Sequence, residues 1–106
     1  MTQWWFYLVA VFVALLLVNG VPHFVQGVSG KQFPSPFSGG PGTLDSAVNN
    51  VLWGAGNLVV GGLLYWLISP GLNAVLVIEM IVVGTAFGAL LGYGFANPER
   101  FSRKRG

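Results

Sequence analysis

Glu79 is the one acidic side chain set deep inside a long apolar run, and a carboxyl in such a place has few options. It can take up a proton, hold a cation, or hydrogen-bond a neighbouring helix. Left charged against lipid at a helix centre it costs at least about 2.5 kcal/mol. At 100° per residue, Val75, Val83, Ala86 and Leu90 share its helical face, so the carboxyl stands in apolar company. Counting back from the turn Ser69-Pro70-Gly71, Asn57 or Tyr65 on the preceding span can reach it. Two roles follow for this group: a neutral carboxyl bonded between helices, or a site for an ion, a proton or a cationic substrate.

A second polar set gathers nearer the other end of the apolar runs: Asn19, His23 and Gln26, then Asn49 and Asn50, then Asn97. Asn19, His23 and Gln26 stand at i, i+4 and i+7, which places them on one face if a single helix carries all three. Side chains of this kind satisfy helix ends and fix crossing angles. The chain has one His and no Cys, so a multi-histidine or thiolate metal site is excluded. No Ser/His/Asp set stands apart from these structural needs, and no phosphate-binding glycine loop follows a strand pattern. The expectation is a protein that is not an enzyme and holds no cofactor or metal.

The elements that position these groups follow from where charge is missing. Of 106 residues 54% are hydrophobic and 8% charged, against about 25% charged in average soluble domains. This excludes a disordered chain, a basic nucleic-acid module and a disulfide scaffold. Residues 1–30, 46–78 and 80–98 carry no Lys, Arg, Asp or Glu, and a bilayer core needs roughly 20 mostly apolar residues per helix. The fold class expected is all-α: a single polytopic membrane domain of three transmembrane helices, the second and third forming a tight hairpin.

The first span covers about 4–21. At Pro22 it either stops or kinks and continues, provided neighbours satisfy the carbonyl of Val18. Its lack of a basic start and of a small-x-small cleavage motif marks it as a retained helix rather than a signal peptide. Residues 30–43 form a Pro/Gly-rich loop containing Phe33-Pro34-Ser35-Pro36-Phe37. The second span covers about 45–68, capped by Thr43, Asp45 or Ser46, and the third about 72–96. The tail, 97–106, carries Arg100, Arg103, Lys104 and Arg105. Phe33, Phe37 and these four basic residues are the candidates for contact with a partner or with lipid headgroups.

Lys31 and the tail supply every basic residue of the chain, and three spans put both segments on one side. The positive-inside rule then places the loop and C-terminus in the cytoplasm and the N-terminus outside, in an inner or plasma membrane.

Two small-residue stripes complete the pattern. Asn50, Gly54, Asn57 and Gly61 are spaced 4, 3, 4 on the second span, with Val48, Leu52, Val59, Leu63 and Trp66 opposite. Gly84, Gly88 and Gly92 recur at every fourth position on the third, with Ala96 continuing the row. In lipid, small residues let backbones approach and interhelical hydrogen bonds add about 0.6–2 kcal/mol each. Glu79 lies about 180° from Gly88, so the two faces of the third span call for different cover. The expected function is helix association, as an accessory or structural subunit of a membrane complex or as a homo-oligomer. Its partners would be the bilayer and other membrane proteins or copies of itself, not nucleic acid. The alternative is a small oligomeric channel or transporter working through Glu79.

Overall fold

A computed structural model describes residues 2–39 and 43–97 and is all-helical. Helix α1 spans Trp5–Val28, α2 spans Ala47–Ile68 and α3 spans Ala74–Ala96, with one 3-10 turn, Ser69–Gly71, between the last two. All three helices are long and apolar enough to cross a membrane. The tail residues Arg100, Arg103, Lys104 and Arg105 lie outside the described residues.

Each helix end has a local cause. Helix α1 runs through Pro22, so the first span exceeds its shorter reading by seven residues and carries His23 and Gln26 within it. Its stop is set by Gly30, two residues past Val28, whose φ of +77° a side chain would resist. There Lys31 N donates to Gln26 O and Gly30 N to Gly27 O, both at 3.0 Å, the paired bonds of a Schellman stop. Ser46 caps α2 by accepting from Asn49 N at 3.0 Å, and Asn73 caps α3 by accepting from Leu76 N at 2.8 Å.

Helix α1 occupies the middle. Gly27 faces Ala47 and Val51, Gly20 faces Gly54 and Leu58, and Leu17 faces Gly61, so α2 runs antiparallel to α1 along its length. Val18 faces Gly84 and Gly88, while Thr2 and Tyr7 reach Asn73, so α3 runs parallel to α1. Helices α2 and α3 hardly touch. The hairpin expected between the second and third spans is therefore a chain connection and not a packed pair. The physical reason is complementarity. Asn50, Gly54, Asn57, Gly61 and Ile68 of α2 are buried, and they meet a stripe of α1 with the same 3–4 alternation: Phe6, Ala10, Val13, Leu17, Gly20, Phe24 and Gly27. Two stripes of average period 3.5 can stay in register over many turns with a left-handed crossing.

The core is unevenly divided. At the turn end Phe6, Ala10, Val13, Ile68 and Leu76 form a cluster shared by all three helices. At the loop end the packing is made of glycines and hydrogen-bonded amides. Helix α3 is the least covered element, with only Leu76 and Gly84 buried.

Candidate functional site

Where α1 and α2 converge on the loop, the polar side chains pair across the helices. His23 and Asn50 are both buried, with His23 Nδ1 2.8 Å from Asn50 Oδ1. Asn50 Nδ2 donates to Phe33 O at 2.8 Å and Ser46 O at 3.0 Å. With its NH2 committed to carbonyls, Asn50 presents its oxygen to the ring, so the proton of this bond belongs to His23 Nδ1. Two turns deeper, Asn19 Nδ2 donates to Asn57 Oδ1 at 3.2 Å, and Asn57 Nδ2 donates to Trp53 O at 2.8 Å. The 4, 3, 4 spacing on α2 and the i, i+4 spacing on α1 keep each set on the one face that meets the other helix.

Aromatic rings close around His23. Phe33, Phe95 and Trp53 lie 5.3, 6.1 and 6.4 Å from it by ring centroid, each meeting it edge-on, and Phe33 packs on Phe95 at 4.5 Å. Phe33 thus ties the loop to α1 and α3. Its backbone also pairs with Asp45, with Phe33 N donating to Asp45 O at 3.2 Å and Asp45 N to Phe33 O at 2.9 Å. Phe33 was expected at a partner or lipid surface together with Phe37, and the structure separates the two. Phe37 is 72% exposed and rests edge-on against Trp53 at 5.4 Å.

The loop is a built element. Ser35 Oγ donates to Asp45 Oδ2 at 2.6 Å, and Asn49 Nδ2 donates to Asp45 Oδ1 at 2.9 Å. The Ser35 hydroxyl, then the Asn49 amide, then the Ser46 backbone N–H hold the Asp45 carboxyl below its ordinary range, with desolvation a smaller opposing effect. A shallow groove of about 380 Å³ opens beside it, lined by Phe37, Asn49, Leu52 and Trp53. The indole N–H of Trp53 is buried with no acceptor among the described residues.

The remaining predicted residues stand apart. Gln26 makes no side-chain hydrogen bond among the described residues. Asn97 Nδ2 donates to Tyr93 O at 2.9 Å and finishes α3. Tyr65 is exposed, Asn57 is engaged with Asn19, and neither bonds to Glu79. Glu79 itself is half-buried on α3, with no hydrogen bond or ion pair among the described residues. In the glycine row of α3, Gly84 lies against Val18 and Ala14 and Gly88 against Val18, whereas a Cβ at Gly92 would meet nothing within 4 Å.

A third polar group escaped the sequence reading. Asn73 Nδ2 donates to Thr2 Oγ1 at 3.0 Å and to Tyr7 Oη at 3.2 Å, and Thr2 Oγ1 donates to Gly71 O. The available signal was an Asn just after Pro70-Gly71 and before an apolar run, which is the place of a helix cap.

Among the described residues no group of three His, Cys, Asp or Glu gathers in a way that could hold a metal. Asn19, His23, Asn50, Asn57 and Asn73 are tied to one another, to other side chains or to backbone, an arrangement suited to fixing helix positions. Comparison with family models, with curated proteins and with solved structures finds no match.

Proposed function

We propose that this chain is a small polytopic membrane protein that acts by helix association, as an accessory or structural subunit of a larger membrane assembly. The observation that carries this reading is the state of α3. Only Leu76 and Gly84 of this 23-residue helix are buried, while a Cβ at Gly92 would meet nothing within 4 Å and the half-buried Glu79 carboxyl has no bonding partner among the described residues. By contrast α1 and α2 use their polar and small residues on each other. A helix held loosely by its own chain, with a close-approach strip and a carboxyl left over, suits contact with something outside the chain.

In this reading the basic loop and tail face the cytoplasm of an inner or plasma membrane, with the N-terminus outside. Association with other copies of the chain is the second form of the same activity. Native mass spectrometry from gentle detergent, paired with crosslinking in membranes, tests it. The expected result is a complex larger than the chain by both methods. A lone monomer by both would overturn the reading.

The second reading, transport through Glu79, is favoured by that carboxyl standing unpartnered inside an apolar helix. Its neighbours weigh against it: Val75 and Val82 are 60% and 61% exposed and offer no polar relay. Flux through purified protein in vesicles that vanishes in Glu79→Gln, with assembly intact, would favour transport over scaffolding.

A further inference from the structure

Glu79 sits in the second turn of α3, five residues and about 8 Å along the axis from Ala74. Ala96, at the loop end, is about 25 Å farther on. The flanking Val75 and Val82 face outward. A half-buried carboxyl at the edge of this outward apolar surface is held at a cost, and a complementary polar group opposite it removes that cost.

The chain does not supply that group at this depth. The nearest amide by level, Asn73, already bonds Thr2, Tyr7 and the N–H of Leu76. Asn57 is engaged with Asn19 and the carbonyl of Trp53. Lys31 follows the far end of α1, and every other Lys and Arg comes after α3 in sequence. A second copy in the same orientation would therefore bring a carboxyl to a carboxyl and no base to this level.

We propose that the Glu79 face of α3 is the docking surface for a membrane helix of a different protein, one that carries a Lys or Arg within about two turns of the same membrane face. This rests on the reading that the chain works by association. The base and the carboxyl neutralise each other where lipid would penalise either alone. A Lys or Arg stem is long enough to place its charged head at this shallow depth while its methylenes lie along Val75 and Val82. One ion pair in an otherwise apolar contact also sets register, since a slipped or mismatched helix leaves both charges unpaired.

The test places a photoreactive residue at Val82 of the full chain in its native membrane, with Leu63 on the outward face of α2 as the comparison position. The expected result is an adduct from Val82 with one protein whose membrane span bears a Lys or Arg near that face. Glu79→Lys should reduce the adduct about tenfold, and exchanging the partner's base for Glu should restore it. Glu79→Gln, which keeps the shape of the side chain and inserts normally, should reduce the adduct severalfold. An adduct only with lipid, with a second copy, or with a span lacking a base overturns the proposal. A protein adduct from Leu63 and none from Val82 overturns it while leaving association by another face intact. No protein adduct from either position, together with a monomer in native mass spectrometry, overturns both.

Discussion

Asn50 joins three segments through one amide: the ring of His23, the carbonyl of Phe33 in the loop, and the carbonyl of Ser46 at the start of α2. Its removal strands several groups at once, and leaving a buried donor or acceptor unsatisfied costs about 1–3 kcal/mol. Asn50→Ala should therefore lower unfolding stability in detergent by about 1–3 kcal/mol. Asn49→Ala, at an exposed position, should cost about 0.5 kcal/mol or less. Chemical denaturation followed by circular dichroism measures both. Asp45 supplies a pH dependence. Its carboxyl is held below the ordinary value of 3.8, so its contribution to the loop is complete above that value and is lost as the pH falls through the lowered one. Amide exchange at Phe33 and Asp45 should quicken in that acidic window. In Asp45→Asn it should already be quick at neutral pH.

At the scale of elements, the contact of α1 with α2 depends on missing side chains. A Cβ at Gly54 would lie 2.5 Å from Phe24 N and 2.8 Å from Gly20 O, both backbone atoms that cannot step aside without moving a helix. Gly54→Ala should part the two helices and cost about 1–3 kcal/mol, the usual range for overpacking. Gly92→Ala meets nothing and should leave the stability of the isolated chain unchanged or slightly raised. Thermal melts of the two variants in the same detergent separate a packing glycine from an open one. The contrast also shows why two stripes of similar appearance differ in role. The α2 stripe finds a matching stripe on α1, whereas the α3 row meets only Val18 and Ala14 before running free.

At the scale of the whole molecule, the loop end carries Lys31, the anchored Phe33 and the exposed Phe37, while the turn end carries no Lys or Arg. An alkaline phosphatase fused after residue 106 should be inactive and a cytoplasmic reporter at the same place active, if the basic end faces inward. The opposite pattern would invert the membrane orientation and place the Glu79 level on the cytoplasmic side.

Three helices and the packed face of α2 were legible in the chain itself, because each rests on local chemistry. Charge-free runs of membrane length and a Ser before an apolar stretch can be read along the chain without knowing what packs on them. The 4, 3, 4 spacing from Asn50 to Gly61 marked a face by helix geometry alone. Which helix would meet that face was not local. Chain order suggested α3, next along across a short turn, but the stripe containing Gly20 and Gly27 on α1 complements it, and α1 took the centre. The fate of Pro22 was likewise a tertiary matter, since a proline within a helix survives where its surroundings are packed. Phe33 and Phe37 look alike as letters. The backbone pairing of Phe33 with Asp45 turns one ring toward His23 and Phe95 and leaves the other outside. Its place in an apolar run determined that Glu79 would be costly, and only the arrangement of the three helices showed that none of the described residues bonds to it.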